Sequence, residues 1–371
     1  MDMYTYLNLN KLDPSMHAQF WELFFSVEPD PLHSSIPASV QKSYLRELLR
    51  NAAAELELAS DMNFLLAVEG SQAVARLSMN RSLHDPSVGY FGCFDFKLLQ
   101  GEPVAGTAVC DPATVSHGVA MASLLEQAEL WFRQKSISKI LGPVCLSTWF
   151  PYRLQMEEFQ GHVFPWEPRT PAQYAELLSS QGYHPEFRYG TFCVNDLVSI
   201  QAGVDRWESS ALAEGFSFKT LNPEELASNM RVLHELTLET FQGNFLFETL
   251  SFRGFAKLYQ AGQSLQGTRV FVDLVYGPDS APAGFMLSQV EDGHLVLKTM
   301  GIVKQFRRHG LAFGLASRAI RAGIESHCDR LVGALVFEGG KSTNWWLELT
   351  RPGKPVWEHK YALFSKEIGD E

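Results

Sequence analysis

The stretch Leu295–Glu325, LVLKTMGIVKQFRRHGLAFGLASRAIRAGIE, decides how this chain is read. It opens as an apolar run rich in strand formers. It breaks at a charged turn, Arg307-Arg308-His309-Gly310-Leu311-Ala312, and continues in a helical pattern. A strand that feeds a basic, Gly-containing turn and then a helix N-terminus is suited to holding an anion. The first turn of a helix has N–H groups without intrahelical acceptors, and its dipole favours negative charge. Gly310 lets the backbone approach a phosphate closely, and Ala312 keeps the helix entrance open. Arg307 and Arg308 add charge. A bare strand–turn–helix occurs in many α/β proteins, but here strand, spacing and helix all agree with an anion site.

Outward from this stretch, the chain runs through one element order twice. In the first half, Met3–Leu9 alternates as a short strand, and Asp13-Pro14 starts a helical pattern reaching Val27. Pro29, Pro31 and Pro37 mark a loop, and Ser39–Leu58 is a second helical stretch. Asn63–Val68 and Ala73–Asn80 read as strands joined at Glu69-Gly70-Ser71. Val88–Leu98 is a strand, Gly118–Lys135 a helix, and Ile137–Leu146 a strand containing Gly142-Pro143. Pro171–Gln181 is a helix stopped by Gly182, and His184–Asn195 is a strand. The pattern resumes with strand Phe216–Leu221, helical Pro223–Thr240 and Ser251–Tyr259, and strands Arg269–Tyr276 and Ala283–Val290. After the opening stretch come strand Arg330–Phe337, helix Ser342–Leu349 and strand His359–Lys366. This is a repeat of architecture rather than of residues.

Arg307-x-x-Gly310-x-Ala312 after an apolar strand resembles the pyrophosphate signature of the Gcn5-related N-acetyltransferases (GNAT), Gln/Arg-x-x-Gly-x-Gly/Ala. Ile302 stands five residues before Arg307, where that family carries Val or Ile. The element order is also that of the GNAT fold. The resemblance is clearest over Phe216–Lys366 and weaker over Met3–Asn195. It implies an α/β (α+β) chain of two tandem GNAT-like domains, 1–200 and 201–371. Each would be a mixed, mostly antiparallel sheet with a splayed strand pair and flanking helices.

In the first repeat the equivalent loop, Gln100–His117, contains no arginine and carries Glu102 and Asp111, which would oppose a diphosphate. The first domain is therefore expected not to bind cofactor. By the same resemblance, the backbone of Met300, Gly301 and Ile302 would hold the pantetheine arm and carbonyl of acetyl-CoA or another acyl-CoA. Arg307, Arg308, His309, Gly310, Leu311 and Ala312 would hold its diphosphate, and Asn344 matches the family's helix asparagine. Glu338 ranks first among the carboxylates as general base, and His294 is the nearest residue whose side chain titrates in a suitable range. Tyr361 is the nearest phenol for a general acid, because Trp345 and Trp346 stand where the family has a tyrosine. Each of these three also has a purely structural reading. The aromatic run Thr240–Glu248 suits the wall of a partly apolar acceptor pocket.

The expected activity is transfer of an acyl group from CoA to a primary amine of a small molecule. Two alternatives stay open. One is a long-chain transferase using long-chain acyl-CoA or acyl carrier protein, and the other is a degenerate acyl-CoA-binding scaffold. A net charge of −11 without a long basic tract argues against nucleic acid as a partner. The five cysteines are scattered and lack metal-ligand spacing. They read as reduced, mostly buried thiols of a cytoplasmic protein that needs no metal. The polar start is unlike a signal peptide, and no apolar run approaches a membrane span. The protein is expected to be a monomer or homodimer.

Overall fold

The computed structural model describes residues 3–27, 61–97, 116–150, 152–263 and 268–369. They fall into two units. The first holds Met1–Glu158, Val163–Arg188 and Tyr361–Glu371, and the second holds Phe159–His162 and Tyr189–Lys360. This replaces the expected division at residue 200, because two strands run from one unit into the other. The helix expected at Ser39–Leu58, the proline loop before it and nearly all of Gln100–His117 lie outside the described residues.

The first unit begins with β1 (Thr5–Asn8) and α1 (His17–Ser26). Asp13 caps the turn before α1 by accepting from Ser15 N, and Pro14 follows it at the first position. The unit continues with β2 (Met62–Glu69), β3 (Gln72–Arg81) and β4 (Val88–Phe96). After α2 (Ser116–Gln134) come β5 (Lys139–Gly142), the two-residue β6 (Leu154–Gln155), α3 (Ala172–Ser180) and β7 (His184–Asn195). The aromatic face of α1 packs on β2, with Trp21 and Phe24 centred 4.8 and 5.6 Å from Phe64. Beneath α2, Met121, Leu124, Leu125 and Phe132 join Leu77, Met79 and Phe91 in one buried cluster. From α3, Tyr174 ties into β4 through both the N–H and the carbonyl of Phe96, at 3.0 Å each.

The second unit adds α4 (Leu197–Ala213), β8 (Ser217–Leu221), α5 (Pro223–Ser228), α6 (Met230–Phe241) and α7 (Phe252–Gln263). Next come β9 (Arg269–Tyr276), β10 (Pro282–Glu291) and β11 (His294–Ile302). The chain then forms α8 (Leu311–Glu325), β12 (Arg330–Phe337), α9 (Lys341–Leu349) and β13 (Lys354–Glu367). Helix α4 was not anticipated. Its signal is nevertheless present: Asp196 caps it by accepting from Ser199 N, and Leu197, Ile200, Val204 and Ala211 bury one helical face. The expected helix Pro223–Thr240 is two helices meeting at Asn229. A capping box between Asn222 and Glu225 starts the first of them.

Strand order in the second unit is β8-β9-β10-β11-β12-β7, antiparallel except for the parallel β11–β12 pair. In the first unit it is β1-β2-β3-β4-β5-β13, again antiparallel except for β4–β5. So β12 is flanked by the end of β7, with Phe337 opposite Tyr189 and Arg330 opposite Asn195. Likewise β5 is flanked by the end of β13, with Phe364 opposite Gly142. The strand expected at Ile137–Leu146 stops at Gly142, because Pro143 has no N–H to offer a ladder.

Each unit carries a bulge at the same place. In β10–β11, Ser288 opposes Leu297 and Leu287 opposes Thr299, leaving Lys298 as the extra residue. In β3–β4, Ser78 opposes Gly92 and Arg76 opposes Asp95, so β4 again holds one residue too many. A bulge bends its strand and raises the local twist. In both units the parallel partner is left at this point: pairing ends at Leu297↔Gly333 and at Tyr90↔Leu141.

Because Ala362, Phe364 and Ile368 are buried in the first unit's core, the C-terminal strand is structural for that unit. Phe364→Ala is expected to cost about 3–5 kcal/mol. Deleting residues 361–371 should speed hydrogen exchange of β4, β5 and α2 amides by orders of magnitude. Unchanged protection there would contradict the strand assignment.

Candidate functional site

In the second unit, β11 runs five residues beyond its last pair with β12, from Lys298 to Ile302. On that side no ladder pairing joins Lys298–Ile302 to Ala334–Phe337, and the strand pair is open there. The opposite edge of β11 stays paired with β10, Met300 opposing Met286 and Gly301 opposing Phe285. Gly301 is required here. A Cβ at this position would collide with Thr240 Oγ1, since α6 lies directly on the strand.

Beyond Ile302 the chain makes a 3-10 turn, Lys304–Phe306, and reaches the arginines. Arg307 Nε donates back to the Ile302 carbonyl at 3.0 Å, pinning the turn to the strand end. Arg308 is exposed, has φ 81°, and makes no ion pair among the described residues. His309 Nδ1 lies 2.6 Å from Glu214 Oε2, and its ring packs on Phe216. Gly310 is the N-cap of α8, with φ 68° and ψ 9° and no side-chain cap. Its carbonyl accepts from Phe313 N and Gly314 N, both at 3.0 Å. The N–H groups of Arg308, His309, Gly310, Leu311 and Ala312 find no acceptor among the described residues. Successive unpaired amides with left-handed residues among them form a concave donor array, an anion nest, here at the positive end of a helix dipole.

The nest is braced from the side by α4. Arg318 of α8 pairs with Glu208 at 2.8 Å and with buried Asp273 at 3.3 Å, and Arg321 pairs with Glu208 at 2.8 Å. Burial pushes the Asp273 carboxyl up, while hydrogen bonds from Thr220 and Arg318 oppose the rise. The neighbouring Trp207 then lies against Gly310, where any Cβ would strike its ring.

The three catalytic candidates are placed differently. Glu338 follows the end of β12, half-buried, on the stretch that has left β11. Phe337 beside it stacks with Phe245 at 6.0 Å and meets Tyr189 at 5.1 Å. The aromatic run Thr240–Glu248 is thus brought to the same strand end. His294 sits at the other end of β11, opposite Arg330, and about 13 Å of strand separates it from the bulge. Its Nδ1 lies 2.7 Å from the Asp292 carbonyl, and its ring stacks on His162 at 4.8 Å. Tyr361 belongs to the first unit. It is buried, pairs with Gln155, and donates to Glu167 Oε1 at 2.5 Å. Its hydroxyl therefore donates to a buried carboxylate of its own unit. Asn344 is exposed near the start of α9, with Trp346 beyond it covering Gly333.

The corresponding gap in the first unit is filled. Val144 N donates to the Phe91 carbonyl at 2.6 Å, and a Cβ on Gly92 would collide with the Val144 backbone. Cys93, at the bulge, is joined to Cys145 as a disulfide with Cα atoms 5.0 Å apart. This corrects the expectation that all the thiols are reduced. The two cysteines are 52 residues apart in sequence, and only the sheet brings them together. Cys193 and Cys328 are free and buried, and burial pushes both thiols up, Cys193 to about 12. Cys110 lies outside the described residues.

Among the described residues no cluster of His, Cys, Asp or Glu has the makings of a metal site. No described helix is long and apolar enough to cross a membrane.

No family model and no curated protein matches the sequence. Solved structures do match. A conserved protein of unknown function and probable N-acyltransferase from Enterococcus faecalis aligns over 99% of this chain and 73% of its own, at 9% identity and a TM-score of 0.55. The fold is a GNAT fold. A GCN5-related N-acetyltransferase from Kribbella flavida aligns over 99% and 72%, at 9% identity and a TM-score of 0.50. A tandem GNAT protein from the clavulanic acid biosynthesis pathway aligns over 99% of both chains, at 13% identity and a TM-score of 0.49. In GNAT terms, the open strand pair of the second unit and the filled one of the first are the same feature in two states.

His294 gives a pH test of its assignment to structure rather than chemistry. Burial, aided by His162, holds its imidazole below the ordinary value. A His whose folded pKa is lowered contributes stability that is intact above about 6.5 and is lost as pH falls towards the folded value. Denaturant midpoints should therefore drop as the solution is acidified below about pH 6.5, and His294→Gln should flatten that drop while leaving catalytic turnover in place. Loss of turnover in His294→Gln would restore it as a catalytic base.

Proposed function

We propose that the second unit binds an acyl-CoA and transfers its acyl group to a primary amine of a small molecule. The observation that carries this reading is a coincidence: five successive unpaired N–H groups stand at the end of a strand that has just parted from its neighbour. The nest of Arg308–Ala312 suits the diphosphate in charge, and Arg308 adds an uncommitted cation. The parted edge of Met300–Ile302 suits the amide-bearing pantetheine arm, whose groups can replace the missing ladder.

In the reaction, the amine nitrogen bonds to the thioester carbon as the carbon–sulfur bond breaks. The amine must be neutral, and in this reading Glu338 takes its proton. Backbone donors on the parted strand would stabilise charge on the carbonyl oxygen. The leaving thiolate takes its proton from solvent. Phe245, Phe337 and Tyr189 form an aromatic wall beside Glu338 that fits an acceptor with an apolar portion.

Gly310→Glu is a poor probe, because its side chain would meet Trp207. Ala312→Glu is cleaner: a carboxylate in the first turn favours the helix but opposes a diphosphate. Titration calorimetry should find one acetyl-CoA per chain for the wild type and a loss of roughly a hundredfold or more in affinity for Ala312→Glu. Unchanged affinity would place the coenzyme elsewhere. Glu338→Gln should keep binding and lower kcat by about 10²–10⁴-fold. Tighter binding of palmitoyl-CoA than acetyl-CoA would mark a long-chain donor, and binding without turnover a scaffold.

A further inference from the structure

Trp207 is held at the rim of the nest, against Gly310, between an aromatic ring and a guanidinium group close to its own ring. Phe313, in the first turn of α8, stacks on it with ring centroids 5.7 Å apart and planes 24° apart. The Arg206 guanidinium lies 5.1 Å from its centroid. Arg206 is exposed and makes no ion pair among the described residues. Its carboxylate neighbours are committed elsewhere, Glu208 to Arg318 and Arg321, and Asp205 to Arg321 and Ser317. Trp345 of α9 also packs on Phe313, with ring centroids 6.1 Å apart. Its Nε1–H is shielded and has no acceptor among the described residues. The start of α8 is therefore lined by aromatic faces, one loosely held cation and one orphan donor.

We infer that Trp207 and Arg206 form the subsite for the adenosine 3′-phosphate end of the coenzyme, the purine taking the Trp207 face now covered by the Arg206 guanidinium and Arg206 turning to the 3′-phosphate. This rests on the acyl-CoA reading and deepens it. A planar guanidinium over an indole occupies the space and the electrostatics that a stacked base would use. The cation it frees has no other partner to leave. The Trp207 ring adjoins Gly310, so base and diphosphate would be bound side by side, as one molecule requires. The subsite also selects among donors. Coenzyme A carries the purine, whereas an acyl group on a carrier protein arrives on phosphopantetheine alone.

The test compares CoA, 3′-dephospho-CoA and 4′-phosphopantetheine by calorimetry on the full chain. Wild type should prefer CoA over 4′-phosphopantetheine. Trp207→Ala should shrink that preference by roughly five- to a hundredfold, the range for loss of one base–aromatic stack. Arg206→Ala, a change at an exposed position, should weaken CoA about tenfold and leave 3′-dephospho-CoA unaffected. CoA should also quench a tryptophan signal that Trp207→Phe lacks. An unchanged preference in Trp207→Ala and Arg206→Ala, with CoA still bound, overturns the subsite and spares the acyl-CoA reading. Absence of CoA binding in the wild type overturns both.

Discussion

One surplus residue sets the geometry on which the second unit depends. Lys298 puts β11 out of step with β10, and from there β11 no longer runs beside β12. A strand edge inside a protein cannot stay without hydrogen-bond partners at no cost. The parted edge thus leaves ladder positions that β12 does not fill. The surroundings conform to it. Gly301 keeps the strand thin where α6 presses on it, Arg307 ties the following turn to the strand end, and Gly310 starts the helix in a left-handed conformation that leaves the turn's amides facing outward.

The first unit shows what happens when such positions are filled from within. Its β4 carries the same bulge and parts from β5 at the matching place. There the chain itself returns through Val144, accepts the role of the missing neighbour, and is tied down by Cys93–Cys145. The absence of arginines in Gln100–His117 suggested a repeat without cofactor from its charges. The filled gap is a separate observation, made on the backbone of that unit. Both observations concern the first unit by itself, and they are independent of each other.

Much of this was readable from residues. The strand–turn–helix of Leu295–Glu325 and the twofold element order were carried by periodicity and by glycines, signals that are local in the chain. What stayed hidden was long-range. Tyr361 follows a strand pattern that could equally end in either unit, and only pairing with Gln155 reveals which. The bond between Cys93 and Cys145 depends on a register that spacing does not encode. His294 looked close to the anion turn in sequence, yet an extended strand converts a few residues into a long separation. Helix α4 was overlooked for a different reason. Its Gly203 and paired serines lower helix propensity, and burial on α8 supplies what propensity does not. That omission also concealed Trp207 and Arg206.

Strands β7 and β13 each begin in one unit and end in the other. A ribosome therefore releases nearly all of the first unit long before that unit can be finished, because its last strand follows the whole of the second in chain order. Until then the edge of β5 stands bare, a template for any passing extended chain. Neither half can be cloned out at a simple cut point, and a stop codon at position 361 would injure the part of the protein that was made first.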